Sequence, residues 1–257
     1  MLVSNVIDDS RVKLATLTEA MSDLSSQFTV RSLSSPDKFP TVTLPYFEVA
    51  AEAARSDPLL SFVSFAPLVT FSQRDVWQKY SVAQQGWIDE SWSLYTGISP
   101  PNGSGSIRPY IYSYAVNGSA IESPSAGLFL PQWQMSPPPT RPGSVNFNLF
   151  SERILGDVFR SMTTANMSAL SPVVDTSFVI GDAELGYEST TSIVMNPVHE
   201  NLQKESWSTS GAVVGVIDWN QLFVGVLPAD VDGIICYLRN SAGQSYSYEL
   251  NGKMVRR

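Results

Sequence analysis

Residues 2–28, LVSNVIDDSRVKLATLTEAMSDLSSQF, set Val3, Ile7, Ser10, Leu14, Leu17, Met21, Leu24 and Phe28 at alternating spacings of four and three. That is the a/d seam of an α-helix, polar only at Ser10 and free of Gly and Pro. A helix over residues 2–30 would run roughly 43 Å at about 1.5 Å per residue. A seam this regular has two uses. It can dock on its own domain, or it can pair with a second copy of the chain. Both can hold in one helix, the first half pairing and the second half docking. The pairing reading assigns Val3, Ile7, Leu14, Leu17 and Met21 to a homodimer interface.

Outward from this helix, residues 36–45 (PDKFPTVTLP) form an extended connector, because proline and the residue before it disfavour helix. Residues 46–55 (YFEVAAEAAR) read as a short helix, and 59–69 (LLSFVSFAPLV) as a buried strand. The spacing over 72–94 predicts one further helix, with Ser72 as N-cap and Asp75 in its first turn. Between 100 and 127 the signals are short strands around turns at Asn102-Gly103 and Asn117-Gly118, with 107–114 alternating. Ser136-Pro137-Pro138-Pro139 is a stiff loop, and 146–159 reads as helix. Strands follow at 191–198, 211–216 and 233–238, with a helical turn in 218–227 and a closing hairpin at 245–250. A long helix followed by mixed helices and antiparallel strands is an α+β layout.

Composition narrows the function. With a net charge of −8 and no cluster of Lys or Arg, the chain lacks the basic face that nucleic acid requires. Charged residues make up only 16% of the 257. No stretch of about 18 apolar residues exists to span a bilayer. The first residues lack the basic start and apolar core of a signal peptide. Membrane segments, if the protein has them, are therefore expected outside residues 1–257.

Catalytic constellations fail on residue supply. His199 is the single histidine and Cys236 the single cysteine, so multi-histidine metal sites and internal disulfides are excluded. Glycine-rich phosphate loops and nucleophile elbows are missing as well. A Cys236–His199 couple would need an accessible thiolate, whereas Cys236 sits in the apolar run 233–238 and reads as a core residue. Asp89-Glu90 and Asp182 with Glu184 are the carboxylate pairs a hydrolase would draw on, and each also reads as solvated surface. No enzyme activity, metal or cofactor is expected.

Two resources remain. Asn102, Asn117 and Asn166 each open an Asn-x-Ser sequon in a turn or polar loop, where glycosylation outside the cytosol would occur. The chain also holds 6 Trp and 10 Tyr. Core packing accounts for most of them, and a ligand pocket would combine some with a few polar groups. The pocket reading selects Phe65, Arg74, Trp77, Tyr112, Tyr114, Trp133 and Gln134.

The order of several segments resembles the CHASE family of extracellular sensors, and the ectodomains of diatom and other algal receptor-type cyclases within it. The residues that carry it are 39–47 (FPTVTLPYF), 65–69 (FAPLV) with Arg74 and Trp77, 129–137 (FLPQWQMSP) and 145–149 (VNFNL). Asn196-Pro197-Val198, 213–216 (VVGV) and 233–240 (GIICYLRN) complete the series. The resemblance implies a membrane-proximal stalk helix over 1–35 and two PAS-like antiparallel-sheet subdomains, over 36–144 and 145–257. It further implies a domain on the extracellular side, held between transmembrane helices, binding a small molecule and signalling to a cytoplasmic cyclase or kinase. A secreted or surface adhesion module that binds protein is the competing reading.

Overall fold

The computed structural model describes residues 2–35, 38–56, 59–95, 106–124, 127–174, 191–202, 208–228, 230–239, 243–251 and 254–256, with the backbone alone at 2–6, 254 and 256. The expected helix is there as α1 (Leu2–Ser34), continuous over 33 residues. Its halves differ in environment. Along the seam Leu17, Met21, Leu24 and Phe28 are buried, whereas Ile7 is 47% exposed; off the seam, Val12, Val30 and Leu33 are exposed in both halves. Leu14, between Ile7 and Leu17 on the seam, is half-buried.

After α1 come α2 (Phe47–Ala54), β1 (Leu60–Pro67), β2 (Val69–Thr70), α3 (Arg74–Ala83) and α4 (Trp87–Leu94). Four short strands follow: β3 (Tyr112–Tyr114), β4 (Ala120–Glu122), β5 (Leu128–Phe129) and β6 (Met135–Ser136). Then come α5 (Arg153–Ala165), β7 (Ala169–Leu170), β8 (Thr191–His199), β9 (Thr209–Asp218) and α6 (Trp219–Leu222). The chain closes with β10 (Ile234–Arg239), β11 (Ser245–Asn251) and β12 (Met254–Arg256).

Five strands form one antiparallel sheet in the order β6-β1-β9-β8-β7. Side chains of β8 and β9 are buried along nearly their whole length, and α1 and α5 both pack on β8. Such double-sided cover is why these strands read as continuous apolar runs and not as alternations. Phe28 of α1 stacks on Phe65 of β1 with ring centroids 3.8 Å apart. Gly215 of β9 lets α1 approach: a Cβ there would stand 2.7 Å from Leu60 Cδ1 and 3.2 Å from Met21 Cε.

This sheet crosses the boundary expected at 144/145. β1 and β6 come from the first proposed half and β7 to β9 from the second. One core spans both, running from Leu17 to Leu250. The strands β10-β11-β12 make a smaller separate sheet, and β11 falls where the closing hairpin was expected.

Three local expectations shift. The helix expected over 72–94 breaks into α3 and α4 at Gln84-Gln85-Gly86, so Trp77 and Trp87 both turn onto Trp133, at 5.3 and 5.5 Å. Its N-cap is Gln73 and not Ser72, and Thr70 caps the short 3-10 turn Phe71–Gln73 before it, with the Thr70 backbone N–H and hydroxyl both donating to Gln73 Oε1. The helix expected from 146 starts at Arg153, because Asn146 has φ 70° and residues 147 and 148 bridge to Tyr112 and Pro131. No helix among the described residues is long and apolar enough to cross a membrane.

Candidate functional site

The residues selected for a pocket lie in the core. Trp77 Nε1 donates to Asn146 Oδ1 at 3.0 Å, and Asn146 Nδ2 donates to Ser81 Oγ and the Arg108 carbonyl. Trp133 Nε1 donates to Thr43 Oγ1, which shares a 2.7 Å hydrogen bond with Tyr80. Gln134 is held by both amide atoms on the backbone of Leu44, at 2.7 and 2.9 Å. Arg74 pairs with Glu122 at 2.8 Å and donates to the Ser123 carbonyl while lying over the Phe129 ring. Tyr112 and Tyr114 meet each other and Phe147, and Phe65 lies under α1 against Phe28. Trp77 and Trp133 thus form one packed centre. Phe65 pairs through its backbone with Trp133 and Gln134, at 2.9 and 2.8 Å, while its ring meets α1, and Tyr112 with Tyr114 packs on Phe147. None of the seven lines either cavity described below. Asn146, which ties three of these segments together, was missed; its left-handed backbone has no sequence mark beyond the asparagine itself.

Part of the expected dimer seam is used within the chain. Leu17 and Met21 are buried beneath the protein's own sheet and cannot also meet a second copy. Ile7 and Leu14 remain available, and the Val3 side chain is outside the described residues. Lys13 anchors the middle of α1: its ammonium donates to the carbonyls of Leu222 and Val224 at 3.2 and 2.9 Å, with Asp9 at 3.4 Å.

Among the described residues, two cavities border α1. The first is a polar cleft of about 320 Å³ whose α1 wall is Ser22, Ser25, Ser26 and Thr29. Opposite stand Asn196 and His199 of β8, and Asn166 and Ser168 from the turn after α5. A hydrogen-bonded chain fixes this wall. Asn196 Nδ2 donates to Ser25 Oγ at 2.8 Å, Ser25 donates to the Met21 carbonyl, and Ser168 Oγ donates to Asn196 Oδ1. Thr29 donates to the His199 carbonyl at 3.0 Å. Burial pulls the His199 imidazole below its ordinary range and so favours its neutral form. Among the described residues no Asp, Glu, Lys or Arg lines the cleft. Exposed Met167 and Leu202 stand at its rim.

The second cavity is an apolar groove of about 640 Å³ between the first half of α1 and β10. Ile7 and Leu14 face Trp219, Leu222 and Phe223 across it, with β10 as the remaining wall. Alternation along β10 turns Ile234, Cys236 and Leu238 toward the core and leaves Ile235 and Tyr237 exposed, the latter at 80%. Cys236 is half-buried against the core, and burial pushes its thiol up, which disfavours the thiolate.

Of the sequons, Asn117 is exposed in a turn where its Oδ1 accepts from the Ser119 backbone and hydroxyl. Asn166 caps the C-terminus of α5 with φ 51° and lines the polar cleft. Asn102 is outside the described residues, as are Asp182 and Glu184. Glu90 accepts from the Tyr46 backbone N–H at 2.9 Å, a structural use. Among the described residues no group of three or more potential ligands could hold a metal ion. No protein-family model matches the chain, and no characterised protein matches it in sequence.

Proposed function

We propose that this chain is the extracytoplasmic sensor part of a transmembrane receptor, which binds a small ligand and signals through paired α1 helices to a cytoplasmic cyclase or kinase. The observation that carries this reading is α1 itself. One unbroken helix of 33 residues buries its seam against the folded domain in its second half and leaves the seam residue Ile7 half exposed in its first. A displacement imposed on the buried half must reappear at the exposed half, since a continuous helix moves as a unit.

The sheet adds support. Its five strands are antiparallel, in the order β6-β1-β9-β8-β7, with a long helix packed on them, as a PAS-like antiparallel-sheet reading expects. The ligand acts by binding one α1 position better than another, and only that difference in affinity can drive the shift.

Sedimentation of the 257-residue protein tests the pairing. The parent chain is expected to associate reversibly with concentration, and Ile7→Glu to stay monomeric with an unchanged fold, because Ile7 is half exposed. Equal association of the two proteins would sink the role given to α1. The adhesion reading keeps one observation in its favour, the exposed Ile235 and Tyr237 on β10. A Tyr237→Ser, Ile235→Thr double variant that loses cell-surface attachment but keeps α1 pairing would favour it.

A further inference from the structure

We infer that Asn117, at the tip of the β3–β4 hairpin, is an N-glycan acceptor, and that Asn166, whose sequon is equally valid by sequence, is not. The two share the Asn-x-Ser pattern and differ in where the fold puts it. A glycan is bulky and hydrated, so the folded chain must leave its anchor in water.

The hairpin tip meets that condition. β3 and β4 form their own two-stranded sheet. Two backbone bonds close its turn: the Ala115 N–H donates to the Ser119 carbonyl and the Gly118 N–H to the Ala115 carbonyl, both at 2.8 Å. Gly118, at φ 79°, supplies the left-handed step such a turn needs. Residues 116–119 are all exposed. Within the turn Asn117 Oδ1 accepts from the Ser119 backbone at 3.0 Å and from its hydroxyl at 2.7 Å. The amide and the hydroxyl that the motif requires therefore stand side by side at the surface. In the transfer, Asn117 Nδ2 forms a bond to the anomeric carbon of a sugar as the bond from that carbon to a lipid-linked diphosphate breaks. The diphosphate leaves with the electron pair, and Nδ2 gives up one proton to solvent.

Asn166 is placed the other way. It is half-buried at the C-cap of α5, at φ 51°, and its side chain lines the cleft that Ser22, Ser26 and Thr29 of α1 wall on the opposite side. Its sequon hydroxyl, Ser168 Oγ, is turned inward and donates to Asn196 Oδ1 of β8. A sugar on Asn166 would meet α1 instead of water. The choice between the two asparagines stands on these turns alone. That the chain encounters a sugar donor rests on the extracytoplasmic reading.

The test directs the 257-residue chain into a eukaryotic secretory pathway with an added cleavable signal. The secreted protein is deglycosylated enzymatically in heavy-oxygen water, which marks each formerly glycosylated Asn as labelled Asp in peptide mass spectra. Label on Asn117 in most molecules and on Asn166 in none is expected. Asn117→Gln and Ser119→Ala should each remove the Asn117 glycan, and Ser119→Thr, which keeps the hydroxyl, should retain it. An unlabelled Asn117 in secreted protein, or a glycan on Asn166, overturns the proposal. The same measurement on the full gene product, expressed without the added signal, separates the two claims. Label on Asn117 there supports both. A bare Asn117 there, with the secreted chain labelled, keeps the acceptor and removes the extracytoplasmic reading.

Discussion

Glu48 of α2 is fully buried, with Oε1 accepting from Ser136 at 2.8 Å and from Arg55 at 3.1 Å. Burial raises its carboxyl above the ordinary 4.5, against the opposing pull of Ser136 and Arg55. The folded state therefore holds the proton more tightly than the unfolded one. The stabilisation this gives is complete below pH 4.5 and is lost as pH rises through the folded value. Denaturation of Glu48→Gln across pH should show that slope removed. Glu48→Ala, which strands Arg55, should cost about 3 kcal/mol at neutral pH. His199 behaves in the opposite sense. Its imidazole lies below 6.5 because burial disfavours the charged form, so stability is lost as pH falls from 6.5 through the folded value. In His199→Gln the stability profile below pH 6.5 should lose that component, and retention of the full slope would show that another group titrates there.

At the scale of elements, two glycines of β9 differ in what they tolerate. A Cβ on Gly211 would stand 2.7 Å from the Ala66 backbone carbonyl, which cannot move without the strand. At Gly215 the nearest atoms are the tips of Leu60, Val194 and Met21, which can shift. Gly211→Ala is therefore expected to destabilise by about 2–3 kcal/mol, and Gly215→Ala by about 1 kcal/mol, on urea unfolding. The reverse order would place the strain in side-chain packing. On α1, Lys13→Met keeps the aliphatic stem but removes the ammonium from the Leu222 and Val224 carbonyls. A loss of about 1–3 kcal/mol follows from uncoupling charge-assisted bonds, accompanied by faster amide exchange at residues 219–224.

At the scale of the molecule, the sheet decides cooperativity. Its middle strand β9 pairs with β1 on one side and β8 on the other, joining residues 60 and 218 in one hydrogen-bonded layer. One calorimetric transition is expected for the described core, and residues 36–144 expressed alone should not fold, since β1 would lack its central partner. An independently folded 36–144 fragment would restore the boundary that the resemblance implied.

The sequence by itself determined the secondary elements with strong local signals. The long helix, the strands at 60–67, 191–199 and 209–218 and the closing hairpin follow from periodicity, β-branched runs and turn glycines, which act over a few residues. It also supplied the aromatic set, though not its use. Trp77, Trp133 and Gln134 look alike as core or pocket residues until their partners, Asn146, Thr43 and Leu44, are brought beside them from distant segments. Tertiary structure alone decided the strand order, the division of the α1 seam into a buried and an exposed half, and the polar cleft. The cleft's walls come from residues 22–29, 166–168 and 196–202, and no local pattern marks serines and asparagines that meet only when α1 crosses β8. Backbone pairing and burial across long sequence separations fix such contacts, and a linear pattern carries no signal for them.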